Sequence, residues 1–149
     1  MGFFNLFKKK LKLTDDLFGE LTYMTSKDAS LNVYEGNVRF QGSYIGIGVD
    51  ADENGPTKEQ KEFFKKLDAT YNHIKENIII PFLKKELEDA LEHTGLEDFD
   101  NQFEFDGISI ERIKDENVKW SITYYSNPMR HYVTVDFVNM EPTLTGIDG

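Results

Sequence analysis

Alternating apolar and polar positions predict strands in both halves of the chain. The clearest case runs from Tyr44 to Asp50, where Ile45, Ile47 and Val49 face one way and glycines face the other. Such glycines leave room for a neighbouring backbone or aromatic ring. Six strands are predicted in this way, over residues 18–24, 31–40, 44–50, 102–113, 118–125 and 131–138.

Two of these strands change parity part-way along. In residues 31–40 the apolar positions move from odd to even numbers, which predicts a bulge at Glu35–Gly36. In residues 102–113 the same change predicts a bulge or turn at Asp106–Gly107. Gly42–Ser43 is predicted as a two-residue hairpin turn.

One long helix is predicted between the two groups of strands. Thr57 and Gln60 have the spacing of a capping box, so the helix is expected to begin there. Pro81 should kink or break it, because proline removes a backbone donor and clashes with the preceding turn. Gly95 is the expected end. The apolar stripe before Pro81 comprises Phe63, Phe64, Leu67, Tyr71, Ile74 and Ile78.

These elements predict an α+β fold. Because each group of strands is a meander, the sheet should be mainly antiparallel, with about six strands and the helix packed on one face. Residues 14–149 are expected to form a single domain that ends in an exposed tail from Pro142. The predicted core contains Ile45, Ile47, Val49, Phe64, Leu67, Ile74, Trp120, Ile122 and Val135.

Residues 1–13 form a separate basic amphipathic segment. It carries Lys8, Lys9, Lys10 and Lys12 without an acid, beside several Phe and Leu residues. One interpretation is a short anchor on an anionic membrane surface, and the other is an element packed on the domain. No apolar run is long enough for a transmembrane helix, and an anchor of this kind would hold the protein at the inner face of the membrane.

Charge and composition narrow the function classes. The chain has 27 acidic and 17 basic residues in 149, a net charge of −10, which disfavours nucleic acid as a partner and favours either basic partners or solubility alone. It has no cysteine, which excludes disulfides and thiolate chemistry. No catalytic motif is present, and the three histidines, His73, His93 and His131, are not spaced as a metal site, so no catalytic residue is assigned.

A calcium-like sequence follows the third predicted strand. Asp50, Asp52 and Asn54, followed by Gly55, match the opening of a calcium-binding loop. The twelfth position should be a bidentate Glu and is Lys61. The alternative is an Asp-rich turn whose carboxylates favour the following helix N-terminus.

The strongest charge feature is the acidic stretch 86–106, which holds nine acids and no Lys or Arg. It is either a solvated surface or a docking face for a basic protein, since complementary charge speeds association. The carboxylates expected to contact a partner are Glu88, Asp89, Glu92, Asp98 and Asp100.

Several stretches are similar to a known family, and they are residues 16–23, 34–36 with Val38 and Phe40, 47–50, 55–60, 121–125, His131 and 146–148. They resemble a family of small uncharacterised bacterial domains with relatives among polymorphic-toxin immunity proteins. The similarity extends over residues 15–149 and departs from the family at Tyr34, where we expect Trp, and at Tyr132, where we expect Gly. It implies a compact cytosolic α+β domain that binds another protein or has a housekeeping role, with no catalytic residues to carry over.

The leading hypothesis is therefore a non-enzymatic binding module, of immunity type if the resemblance holds, that docks a basic protein through its acidic face. The first alternative is a peripheral membrane-associated protein anchored by residues 1–13. The second is a calcium-binding or hydrolytic domain around Asp50 and Asp52. No other cofactor is expected.

Overall fold

The computed structural model describes residues 11–25, 32–88 and 96–148. They form one eight-stranded sheet, with a helical segment packed on one face, and the strands lie side by side in chain order. The strands are β1 (Leu11–Asp15), β2 (Gly19–Met24), β3 (Val33–Phe40), β4 (Ser43–Asp50), β5 (Phe103–Ile110), β6 (Lys119–Ser126), β7 (His131–Val138) and β8 (Glu141–Asp148).

The sheet consists of two antiparallel meanders joined by one parallel pair. β1–β4 pair antiparallel with their neighbours, as do β5–β8, while β4 and β5 run parallel. Parallel neighbours need a long crossover, and the helical segment supplies it. The predicted α+β class and mainly antiparallel sheet are confirmed.

The crossover begins where the sequence predicts. Thr57 is the N-cap of α1 (Lys58–Ile74), and both bonds of its capping box with Gln60 are present. A π-helical turn (Lys75–Ile79) follows, then α2 (Ile80–Glu86), and later a short helix α3 (Phe99–Gln102). The helix end predicted at Gly95 lies outside the described residues.

The irregularity expected at Pro81 lies one turn earlier. The backbone N–H of Ile80 donates to the carbonyl of Lys75, which is the wider spacing of a π-turn. Pro81 then falls in the first turn of α2, where a missing N–H costs little.

Gln60 locks the crossover to both parallel strands. Its side chain is fully buried and its carbonyl oxygen accepts from the N–H of Thr57 at 2.9 Å. Its amide nitrogen donates to the carbonyl of Asp50 at 2.9 Å and to that of Glu111 at 3.1 Å. One side chain therefore ties the end of β4, the end of β5 and the start of α1 together.

The core lies between the sheet and the helical segment. All nine residues predicted for it are buried in one cluster, which confirms the alternation assigned to β4, β6 and β7. Aromatic rings fill much of this layer; Phe40 lies 5.7 Å from Phe64 and 5.3 Å from Tyr71 between ring centroids.

The predicted number of strands was too low because both sheet edges lack a clear alternation. β1 includes residues 11–13, the end of the basic segment, and Lys12 forms an ion pair with Glu20 of β2 at 2.9 Å. The residues from Pro142 are largely exposed, as expected, but they belong to the edge strand β8 rather than to an unpaired tail.

The bulge predicted at Glu35–Gly36 was wrong. β3 pairs in continuous register, and Tyr34, Val38 and Phe40 share its buried face. Position 36 lies on the same face. A residue with a side chain would not fit there, because its Cβ would lie 2.7 Å from the carbonyl oxygen of Glu20. A missing side chain, and not an extra residue, breaks the apolar pattern.

Of the two remaining local predictions, the position of the hairpin turn was wrong and the bulge in β5 is confirmed. The hairpin turn after β3 is formed by Gln41 and Gly42, both at positive φ, and not by Gly42–Ser43. The Gln41 side chain donates to the Asp68 carboxylate at 2.8 Å, which holds the turn against α1. The register shift of β5 between Phe105 and Gly107 confirms the predicted bulge.

Replacing Gln60 with Leu should lower the free energy of unfolding by at least about 2 kcal/mol. Each of the two carbonyl oxygens left without a donor costs about 1–3 kcal/mol. Thr57→Ala, which removes only the cap, should cost about 1 kcal/mol. Urea unfolding of both variants measures the difference, and equal losses would contradict the role assigned to Gln60.

Candidate docking surface

A cleft opens at one end of the sheet because β4 and β5 pair only from Gly46 and Gly107 onward. A Cβ at Gly107 would lie 3.0 Å from the Gly46 carbonyl oxygen, so the two glycines let the backbones meet. Before this point the strands are not paired with each other.

We call this space the aromatic cleft; its volume is about 460 Å³, within the range of ligand sites. The helical segment, α3 and the first residues of β4 and β5 enclose it. Its aromatic lining comprises Tyr44, Tyr71, Phe99, Phe103, Phe105 and Tyr124. Its polar lining comprises Gln41, Ser43, Asn72, Lys75, Asp100 and Glu104.

Two buried tyrosines meet in the wall of the cleft. The hydroxyl oxygens of Tyr71 and Tyr124 are 2.8 Å apart, and one donates to the other. Burial is the largest cause that raises the pKa of each hydroxyl well above the ordinary tyrosine value, and the negative charge of Asp100 acts in the same direction. Both hydroxyls therefore stay protonated to a higher pH than an exposed tyrosine does.

A lysine from the π-turn lies beside this pair. The Lys75 ammonium donates to the two oxygens of Asp100 at 3.0 and 3.2 Å, and it lies 6.0 Å from the centroid of the Tyr71 ring. Only 11% of the Lys75 side chain is exposed, whereas 74% of Asp100 is. Asp100 thus neutralises the buried cation at the cleft wall.

Three tyrosines lie on the outer face of the sheet, which is the face away from the helical segment. We call Tyr44, Tyr125 and Tyr132 the tyrosine row. Tyr44 is 73% exposed and Tyr132 is 44% exposed. Tyr125 and Tyr132 are opposite each other on β6 and β7, with ring centroids 5.2 Å apart.

Acidic side chains border the tyrosine row. Glu104 of β5 is directly opposite Tyr125, and Asp148 of β8 is directly opposite Tyr132. Directly opposite residues share a face of the sheet, so both carboxylates lie beside the rings. The Arg39 guanidinium lies 5.2 Å from the centroid of the Tyr44 ring.

The residues predicted to contact a partner are only partly assembled at this surface. Asp100 lines the aromatic cleft, and Asp98 is exposed just before α3, where it accepts from the side chain of Asn101 at 2.8 Å. Glu88 is exposed after α2. Asp89 and Glu92 lie outside the described residues.

The Asp50 loop has internal partners for its predicted ligands. Asp50 accepts from the Arg112 guanidinium at 3.1 Å, and Asp52 accepts from the backbone N–H of Asn54 at 2.9 Å. Lys61, at the twelfth position, is ion-paired with Asp15 at 2.7 Å; bonds to Asp15 and Asp16 raise its pKa. These contacts favour the Asp-rich turn. Within the described ranges, no group of three or more His, Asp or Glu side chains is placed to hold a metal ion.

The remaining candidates are spread over the surface. His73 is exposed on α1 next to Asn77, and His131 is exposed at the start of β7, while His93 lies outside the described residues. Residues 1–10 of the basic segment also lie outside them. Among the helices that the structure describes, none is long and apolar enough to cross a membrane.

The tyrosine row was not predicted, although the sequence contains a signal for it. Each of its three members stands at the polar parity of its strand, next to a buried apolar residue on the opposite face. A large aromatic side chain at a polar position is typical of interaction surfaces. Their proximity depends on the β4–β5 pairing, which strand alternation alone does not predict.

Comparison of the chain with protein-family models, with curated proteins and with solved structures finds no match.

The buried tyrosine pair should make the protein less stable as the pH rises above about 10. In the unfolded chain both hydroxyls ionise near their ordinary pKa of 10.0, while the raised pKa values keep them protonated in the folded state. The unfolded state then binds fewer protons, so the free energy of unfolding falls with pH. Urea unfolding at several pH values should show a shallower fall for the Tyr71→Phe/Tyr124→Phe double variant, and identical slopes would contradict this assignment.

Millimolar calcium should leave the melting temperature unchanged, because the Asp50 and Asp52 carboxylates already have partners. A calcium site filled at 100-fold its dissociation constant would add about 2.7 kcal/mol of stability. Thermal melting with calcium and with a chelator measures this. A rise of several degrees that Asp50→Ala abolishes would instead establish the calcium loop.

Proposed function

We propose that the protein is a non-enzymatic binding module that docks a basic protein through the tyrosine row and the acidic mouth of the aromatic cleft. The observation that carries this proposal is the exposure of Tyr44 and Tyr132 on a regular sheet face beside unneutralised carboxylates. Large exposed aromatic side chains are costly to keep in water and are enriched in the energetic centres of protein interfaces.

The charge of this surface supports a basic partner. Asp98, Glu104 and Asp148 are exposed around the tyrosine row and the cleft, and none of them pairs with a Lys or Arg among the described residues. The Lys75 charge is already compensated by Asp100. Opposite charge on the partner would steer its approach and fix its orientation.

Rigidity also supports this role. Tyr44, Tyr125 and Tyr132 project from paired strands, so binding orders few groups that are free in the unbound protein. A basic toxin inhibited by this domain is one partner of the required chemistry, and it is the partner class that the immunity-type resemblance implies. For membrane anchoring and for calcium, the described residues add no supporting contact.

The Tyr44→Ala/Tyr132→Ala double variant should lose the partner while it stays folded. Both side chains are exposed, so we expect the free energy of unfolding to change by less than about 1 kcal/mol. Loss of two aromatic anchors of at least about 2 kcal/mol each should weaken binding by several hundred-fold or more. The measurement is capture from an extract of the source organism, followed by titration of the purified partner.

A second variant provides the matched control. Glu141→Gln removes one exposed charge from β8 at the opposite end of the sheet. It should bind as the unchanged protein does. A partner captured equally by the tyrosine variant, or one that is itself acidic, would contradict the proposal.

A further inference from the structure

We propose that Glu104, flanked by Tyr44 and Tyr125, is a receptor for a single arginine side chain of the partner. This inference rests on the proposed function and specifies the chemistry at its centre. It starts from the geometry of three neighbouring strands: β5 lies between β4 and β6, so an acid on β5 can lie between aromatic residues on its neighbours.

Glu104 is the acidic group of the aromatic cleft that has no cation of its own. Asp100, the other carboxylate in the lining, is held by Lys75 at 3.0 Å. Glu104 is exposed on β5, and no Lys or Arg among the described residues forms an ion pair with it. A cation supplied by another molecule would neutralise the Glu104 carboxylate.

Aromatic rings flank this carboxylate on both sides. Tyr125 is directly opposite Glu104 on β6, and Tyr44 lines the cleft together with Glu104 from the β4 side. The rings at this site already attract cations of the chain itself: Arg39 lies over Tyr44 and Lys75 lies over Tyr71. A cation held by Glu104 would gain the same attraction to the ring quadrupoles.

The arrangement favours a guanidinium over an ammonium ion. A guanidinium is planar, stacks on aromatic faces and binds a carboxylate through two parallel hydrogen bonds. It is also less strongly hydrated, so it loses less on leaving water. The cleft of about 460 Å³ is large enough for the arginine stem to lie against Phe105 and Tyr44.

The test uses N-acetylarginine amide as the probe and the full chain as the receptor. Titration followed by NMR should give saturable shifts at Tyr44, Tyr125 and Glu104. N-acetylcitrulline amide has nearly the same shape without the charge and should give no saturable shift. N-acetyllysine amide, with a free side-chain amine, should bind more weakly than the arginine probe.

Two matched variants locate the site. Glu104→Gln should weaken binding of the arginine probe by about tenfold or more, because it removes the negative charge that strengthens hydrogen bonds between a carboxylate and a guanidinium. Glu141→Gln, which makes the same chemical change at the far end of the sheet, should leave affinity within about twofold. Thermal melting of both variants checks that the fold is retained.

The outcomes separate this inference from the proposed function. Equal binding of the citrulline probe, unchanged affinity of Glu104→Gln, or shifts confined to other parts of the protein would overturn the arginine receptor. If the arginine probe does not bind while the Tyr44→Ala/Tyr132→Ala variant still loses a basic partner, the arginine-binding role of Glu104 is wrong and the docking proposal is retained. If the probe binds at Glu104 and no basic partner depends on the tyrosines, the receptor stands and the docking proposal fails.

Discussion

The parallel contact between β4 and β5 is the constraint on which the rest of the structure depends. Every other neighbouring pair of strands is antiparallel and can be joined by a short turn, but this pair needs a crossover connection, which here spans residues 51–102. Gln60 secures the junction by donating to the carbonyls of Asp50 and Glu111 at 2.9 and 3.1 Å. These two bonds add to the backbone pairing of β4 with β5, which fixes the register between the two meanders.

The same contact produces the candidate surface. Pairing starts at Gly46 and Gly107, so the earlier residues of β4 and β5 separate and leave the aromatic cleft between them. Tyr44 and Glu104, which are sixty residues apart in the chain, meet at its mouth. The helical segment covers the other face and contributes Lys75, whose position at the start of the π-turn brings its ammonium to Asp100. The pairing of β4 with β5 therefore determines both the fold and the candidate surface.

The sequence predicts the local structure better than the long-range structure. The capping box at Thr57 and Gln60, the alternation in β4 and the bulge near Asp106 are encoded by neighbouring residues, and each was predicted correctly. β3 was misinterpreted because Gly36 occupies a core-facing position, which only its contact with Glu20 explains. The edge strand β8 has no buried residue among its described side chains, so its hydropathy resembles that of a tail.

The functional site shows the same difference between local features, which the sequence predicts, and long-range contacts, which it does not. The acidic stretch is evident from composition, yet composition does not show that Asp100 is paired with Lys75 while Glu104 has no such partner among the residues that the structure describes. That distinction depends on the crossover, which brings Lys75 of the π-turn to Asp100 of α3. The tyrosine row likewise depends on the pairing of β4 with β5, which places Tyr44 on the same sheet face as Tyr125 and Tyr132.

The most direct test of the account is a crystal structure of the full chain with N-acetylarginine amide. The account predicts the guanidinium within about 3.2 Å of a Glu104 carboxylate oxygen and within about 6 Å of the centroid of the Tyr44 or Tyr125 ring. A guanidinium bound elsewhere, with Glu104 free in solvent, would contradict it.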